Sequence, residues 1–566
     1  MNARVSAVLR VALVGAIAVG PGCGADPAEN QEPADLVVRV DHVVSLDPAT
    51  PPGADALAVR SGKVVAVGAY DDLNERYGGA ATVIEDFRPG VAVPGLVDAH
   101  CHLLGQGLLG LDLLGTRSVP EIQERVAAAV KKAKPGAWIV GRRWDQNDWP
   151  EPRFPTREDL DKVSGLNPVV LTRIDGHAAW LNSLALKRSG IDANTRDREG
   201  GFIHRDPKTR RPTGILVDNA MDLIKRPRPD RDARRRAILR AARTCHRFGL
   251  TGIHDAGVSE SVLDIYRELY RKGELELRIY AMIGGAGPLL DHCIEHGPEI
   301  GAFNGRLTVR ALKLYADGAL GSRGAALLAP YSDRKDHAGL LVTPPRKLRE
   351  TSLRAARAGL QVCVHAIGDR ANRIVLDIYE EAIRETGNRD ARHRVEHAQV
   401  LHPSDIPRFA RLGVIASMQP THLTSDMPWA RDRLGPKRVK GAYAWRTLIE
   451  AGARIAGGSD FPVEQVNPLL GLYSAITRRR TSEPGAGVYG AEECMTPEEA
   501  LRAFTTEAAY AAFQESTNGT LSPGKWADVT VLPIDPLTAK PERLLGAEVL
   551  ATLVGGKVVY RKPAGE

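Results

Sequence analysis

The residues best placed to do chemistry begin in one short run, Pro94-Gly95-Leu96-Val97-Asp98-Ala99-His100-Cys101-His102. In an extended strand alternate side chains share a face, so His100 and His102 point the same way as Asp98 while Cys101 turns to the other side. Two imidazoles at that spacing, at the end of a strand, can reach one divalent cation. Buried together without a ligand they would carry a desolvation cost. An H-x-H alone is a weak signal among 15 histidines. Matching groups follow, however: Val364-His365-Ala366, Val395-Glu396-His397 and Gly457-Gly458-Ser459-Asp460 each close a short β-type run. Four histidines and an aspartate converging from strand ends form an N/O donor set that suits zinc or another first-row divalent ion.

A sixth group comes from Val309-Arg310-Ala311-Leu312-Lys313-Leu314-Tyr315-Ala316-Asp317, where strand parity puts Ala311, Lys313, Tyr315 and Asp317 on one face. A lysine in mid-strand among apolar neighbours does not remain a bare buried ammonium. It is depressed in pKa, paired (Asp317 is the nearby acid), or modified; carbamylation by carbon dioxide would make it a carboxylate able to bridge two metals. Ser459 has no G-x-S-x-G frame, which removes a serine-hydrolase reading. Gly284-Gly285-Ala286-Gly287 lacks the order of a dinucleotide fingerprint.

These groups need a scaffold that brings distant strand ends together. Candidate strands at 95–100, 252–255, 278–283, 309–315, 361–365, 394–397, 414–418 and 454–458 make eight, and from the second onward they are mostly separated by stretches long enough for a crossover helix. An eight-fold β-then-α pattern predicts an α/β fold with a closed (β/α)8 TIM-type barrel, whose catalytic residues come from the carboxyl ends of different strands. The barrel region is expected over 94–515. The long first gap predicts an inserted subdomain at about 105–245, with helices at 119–132 and 230–248 around a turn-rich middle. Short β-rich runs at 35–93 and again at 516–566 could not bury a good sheet separately. They predict one small β-sandwich built from both chain ends.

The chain has 566 residues, 43% of them hydrophobic, so it can bury a large core. Its 56 glycines and 37 prolines show no G-X-Y period, which excludes a collagen-like chain. The net charge of +7 is spread thinly, and the densest basic runs, Arg234 to Arg236 and Arg478 to Arg480, lack interleaved aromatics; no nucleic-acid partner is expected. At the amino terminus two arginines precede a ten-residue apolar run, Val11 to Gly20, which is too short to span a membrane. This reads as an export signal, 1–23, ending in Pro21-Gly22-Cys23 and followed by a polar linker, 24–34. It resembles a bacterial lipoprotein signal, which implies lipid attachment at Cys23 and a cell-envelope location; cleavage near Gly24 or Ala25 is the alternative. The other five cysteines are scattered, too few for a disulfide framework.

Five ordered motifs, PGLVDAHCH, LKLYADGALGSRGAAL, HAIGDRA, RVEHAQ and GGSDFPV, resemble the amidohydrolase superfamily, and more narrowly its YtcJ-like branch, which includes N-substituted formamide deformylases. The similarity runs from about Asp35 to Tyr560, and WDQNDWP, DGHAAWLNS and GKWADVTVL extend it. The resemblance implies a metal-dependent hydrolase with one or two divalent ions, zinc foremost, held by His100, His102, Lys313, His365, His397 and Asp460. Lys313 is then expected to be carbamylated, bridging two ions; left unmodified, it is compatible with a single ion. Asp460 is expected to act as general base and then acid for a water attacking the substrate. Trp144, Asp145 and His177 in the insertion, which would help close the pocket, and Arg323 after the lysine strand are the substrate-binding candidates. The expected substrate is a small amide-type molecule, an N-acyl or N-formyl compound. The alternatives are a deaminase or cyclic-amide hydrolase, or a non-catalytic, metal-containing ligand-binding lipoprotein. All six ligand positions, Asp460 included, are occupied, which argues against the last.

Overall fold

Eight parallel strands form the centre of the computed structural model, which describes residues 32–563. They are β1 (Leu96–Cys101), β2 (Leu250–Val258), β3 (Arg278–Gly284), β4 (Leu307–Tyr315), β5 (Gln361–Ala366), β6 (Arg394–His397), β7 (Ile415–Met418) and β8 (Ile455–Gly457). Each pairs in parallel with the next in chain order. Beyond the end of β8 the chain turns back onto β1: the Asp460 amide donates to the His100 carbonyl at 2.7 Å. All eight strands coincide with the sequence-derived candidates. They are readable because a parallel strand covered on both sides is apolar throughout, as in β5, β6 and β7, which are buried at every position. The helices between them bury one stripe. Glu260–Arg271, for example, turns Val262, Leu263, Tyr266, Leu269 and Tyr270 inward at helical spacing.

The chain ends meet. Val91–Pro94 pairs antiparallel with Val529–Leu532, and the five-stranded sheet they share faces a four-stranded sheet holding Leu36–Arg39 and Ala56–Arg60. Leu36, Val38 and Leu57 from one end and Val529, Val531 and Leu553 from the other fill a single apolar layer.

The segment between β1 and β2 differs from its expectation. Its helix Val119–Lys132 has the predicted bounds, started by Ser118, whose side chain accepts from the Glu121 amide at 3.3 Å. The middle, read as turn-rich, is a six-stranded sheet in the order Gly201–Arg205, Pro212–Asp218, Ala178–Leu181, Val169–Arg173, Ile139–Trp144, Leu111–Asp112. Its strands are short and alternate with Gly- and Asp-rich turns, so each carries too few periods to stand out. The second helix spans Arg231–Arg247, and its buried Ile238, Ala241 and Cys245 join the core of the barrel. The described cysteines are all free thiols, four of them buried, and no helix among the described residues is long and apolar enough to cross a membrane. Cys23 and the export signal lie outside the described residues.

Closure leaves no room at Gly458. A Cβ there would lie 2.7 Å from the His100 amide nitrogen and 2.8 Å from Asp98 Oδ1. Gly458→Ala is expected to destabilise the fold by about 1–3 kcal/mol, measured by equilibrium denaturation; an unchanged midpoint would show that the seam between β8 and β1 yields freely.

Candidate metal and active site

The carboxyl ends of β1, β4, β5, β6 and β8 bring all six nominated ligands into one cavity. His100 Nε2 lies 3.6 Å and His102 Nε2 3.2 Å from Asp460 Oδ1, and the ligand atoms of these three residues lie within 4.8 Å of one another. The His397 ring stands 4.9 Å from that of His100 and 4.5 Å from that of His365, centre to centre. Lys313 opens onto the same cavity and is 1% exposed.

Three of the four imidazoles are aimed by their other nitrogen. His102 Nδ1 meets the Ala256 carbonyl at 2.8 Å and His397 Nδ1 meets Gln419 Oε1 at 2.7 Å. His100 Nδ1 contacts the Glu396 carboxylate, which Arg394 holds in turn, with Nε 2.8 Å from Glu396 Oε1. A proton on Nδ1 leaves the Nε2 lone pair free, as metal ligation requires. Burial, the largest influence on each ring, lowers the affinity of His100, His365 and His397 for a second proton and keeps them neutral. Burial pushes Asp460 the other way, yet the adjoining His102 and His100 hold its carboxyl well below the usual range. His100 Nε2, His365 Nε2 and Asp460 Oδ1 are buried without any hydrogen-bond partner. Buried acceptors left unmet are costly, and a divalent cation is the group that this donor set fits.

The backbone is strained where the ligands sit: φ is 75° at His397, 44° at Ala398 and 58° at Asp460. Such left-handed non-glycine residues cost about 1–3 kcal/mol each and persist where the surroundings over-determine them. Here Asp98 supplies part of the constraint. It accepts from the His100 amide at 3.1 Å and from Ser459 Oγ at 2.5 Å, tying the Asp460 loop to β1. Burial pushes Asp98 up to about 7. Ser459 is thereby a strut for the loop.

Lys313 is not paired with Asp317. Its Nζ lies 3.8 Å from the centre of the Tyr315 ring, and among the described residues no carboxylate comes within ion-pair distance of it. Asp317, two residues beyond the end of β4, accepts from the amides of Ala326, Ile367 and Gly368 at 2.8, 3.0 and 2.8 Å. The chain bends there, so strand parity no longer applies.

The substrate-side candidates divide. His177 lines the cavity, its ring 5.0 Å from that of His365. Its Nδ1 donates to Asp218 Oδ1 at 2.5 Å; burial lowers its pKa, but this carboxylate outweighs it and raises His177 to about 9. Asp145 lines an adjoining chamber and is ion-paired with Arg173. Trp144 is instead a core residue of the insertion: fully buried, packed on Trp149 and Trp180, its Nε1 donating to the Leu171 carbonyl at 2.9 Å. Arg323 turns away to Asp333, with Nη2 2.9 Å from Oδ2. Two residues absent from the sequence nominations stand close to the ligands. His422 Nε2 is 3.8 Å from Asp460 Oδ2, and Arg173 faces the chamber. His422 stands four residues beyond the end of β7, on the helix Pro420–Asp426, so no strand-end pattern in the sequence marks it.

The chain matches the amidohydrolase family over residues 84–560. It is 35% identical to the amidohydrolase YtcJ of Bacillus subtilis over 521 residues, 90% of this chain and 96% of that one. It is 28% identical to the N-substituted formamide deformylase of Arthrobacter pascens over 93% of this chain and 98% of that one. Among solved structures, a metal-dependent hydrolase from Pyrococcus horikoshii superposes with a TM-score of 0.70 at 28% identity, covering 89% of this chain and 99% of that one.

Proposed function

We propose that this chain, which belongs to the amidohydrolase family, hydrolyses an amide-type C–N bond in a small N-acyl or N-formyl compound with the help of divalent metal. The observation that carries the reading is the convergence of His100 Nε2, His102 Nε2 and Asp460 Oδ1 within 4.8 Å at strand ends, where His100 Nε2 and Asp460 Oδ1 have no other partner. The similarity to the formamide deformylase supports the bond type.

His100, His102 and Asp460 would hold one ion and His365, His397 and a carbamylated Lys313 a second, supplying Lewis acidity to a water and to the scissile carbonyl. Asp460 would take the proton of the attacking water and return it to the leaving nitrogen. His177, cationic and fixed by Asp218, is placed to donate to the carbonyl oxygen as negative charge gathers there. The insertion that carries it supplies part of the cavity wall through Asp175, His177 and Asp218. Export, with a lipid at Cys23, remains part of this reading on sequence grounds alone.

Metal content by elemental mass spectrometry, on protein purified without chelator, tests the proposal together with turnover of N-formyl and N-acetyl amines. About two equivalents, falling in both His100→Ala and Lys313→Ala, are expected with the bridged pair. One equivalent, lost with His100 and kept without Lys313, leaves a one-metal hydrolase. Absence of bound metal, with no gain on adding zinc or manganese, overturns the mechanism. For His177→Gln we expect unchanged metal content and a kcat lower by about 100-fold to 1,000-fold, the usual effect of losing one donor to a developing oxyanion; a change confined to KM would remove His177 from that role.

A further inference from the structure

Beside the ligand cluster lies a chamber of about 380 Å³ that shares His365, His397 and Asp460 with it. Its charges are unbalanced. The two arginines and His177 that line it are already matched: Arg173 with Asp145 and Asp175, Arg480 with Glu483, and His177 with Asp218. Asp148, Asp426 and Glu464 line it as well, and among the described residues no basic side chain lies within ion-pair distance of any of the three.

Asp426 and Glu464 are held by neutral donors alone. Asp426 Oδ2 accepts from Gln399 Nε2 at 2.9 Å and from Tyr443 Oη at 2.5 Å. Glu464 Oε1 accepts from Ser425 Oγ at 2.7 Å. No described protein group donates to Asp426 Oδ1 or Glu464 Oε2, while Asp148 stands at the exposed rim. Burial raises the pKa of Asp426 and Glu464, as expected of carboxylates without counter-charge. An independent observation points to a ligand. Trp429 is 7% exposed, lines the same chamber, and its indole N–H has no acceptor.

We propose that this chamber selects a substrate whose scissile amide is joined through a short chain to a cationic amine. The ammonium would be taken by Asp426 and Glu464, with Asp148 drawing it in at the rim, while the indole N–H of Trp429 meets an acceptor on the same molecule. An ammonium offers three donors and no acceptor, which matches free carboxylate oxygens, and pairing removes the cost of leaving those carboxylates alone in a partly desolvated space. This inference rests on the hydrolase reading for the word substrate; the cation site stands on the chamber itself.

Two measurements separate them, both on the metal-loaded protein. The first compares kcat/KM for N-acetyl-diaminobutane, its neutral isostere N-acetylpentylamine, and the anionic N-acetyl-aminobutyrate, with the N-formyl forms alongside. The cationic member is expected to lead the neutral one at least tenfold, and the ratio to fall at least tenfold in Asp426→Asn/Glu464→Gln. The second reads thermal stabilisation by free diaminobutane against its neutral counterpart 1,4-butanediol and the dianion glutarate. Stabilisation by the diamine alone, lost in the double variant, supports the cation site even where no amide is turned over, and the hydrolase reading is then what fails. Turnover without cationic preference, a preference that the double variant keeps, or no stabilisation by the diamine overturns the chamber proposal and leaves the hydrolase reading standing.

Discussion

Asp460→Asn is expected to leave a folded protein in which amide hydrolysis has fallen by about 100-fold to 10,000-fold in kcat, the range for removal of a positioned general base. The amide keeps the volume of the side chain, and the loop stays pinned because its anchor is Asp98 through Ser459. What disappears is the only carboxylate in the three-residue ligand group, and with it both a metal ligand and a site for the water proton. Circular dichroism and metal content on the same preparation separate the two losses. A folded, metal-replete and inactive variant assigns proton transfer to Asp460. A folded variant without metal assigns it ligation first. Full activity would remove Asp460 from the mechanism.

Arg394→Ala is expected to produce the largest loss of stability outside the hydrophobic core, and a loss of metal with it. Arg394 and Glu396 are both fully buried. The guanidinium also donates to Ser417 Oγ at 2.7 Å and lies 2.9 Å from His254 Nδ1. Burial pushes the Glu396 carboxyl up, but Arg394 and then His100 hold it far below the usual range. Truncation leaves that carboxylate unpaired in the barrel interior, which costs about 3–5 kcal/mol. It also loosens the partner that orients His100, and loss of such a partner commonly weakens metal affinity by about 10–100-fold. Denaturant unfolding of the apo protein reads the first effect and a competitive chelator titration the second. A stable variant with normal affinity would show that Glu396 is neutralised some other way. Adding Glu396→Gln to Arg394→Ala, which removes the stranded charge but keeps a hydrogen-bond acceptor for His100, should recover most of the stability and little of the affinity.

The two effects share one cause. The ligands are neutral imidazoles whose direction is set from behind, and the groups behind them are buried charges that can be satisfied only in pairs. The left-handed backbone at His397 and Asp460 belongs to the same arrangement, in which local strain is tolerated because surrounding contacts leave no alternative.

By itself the sequence determined the eight barrel strands, the two-ended β-sandwich and six residues that the fold brings into one cavity. All of these are signals carried within a few neighbouring residues: apolar runs of strand length, a two-residue alternation that puts His100 beside His102, and a donor residue at each strand end. The tertiary structure decided what depends on which strands become neighbours. The Arg394–Glu396–His100 relay exists because β1 and β6 face each other across the barrel, although nearly 300 residues separate His100 from Glu396. Lys313 and Asp317 share a parity in the sequence, but the bend after β4 takes the aspartate to three backbone amides. Trp144 and Asp145 are adjacent in the chain, and the edge of the insertion sheet sends one into the core and the other to the chamber. Arg323, with φ at 61°, turns back to Asp333. Local patterns specify which residues can serve. Which of them meet is decided by long-range packing, which no spacing along the chain records.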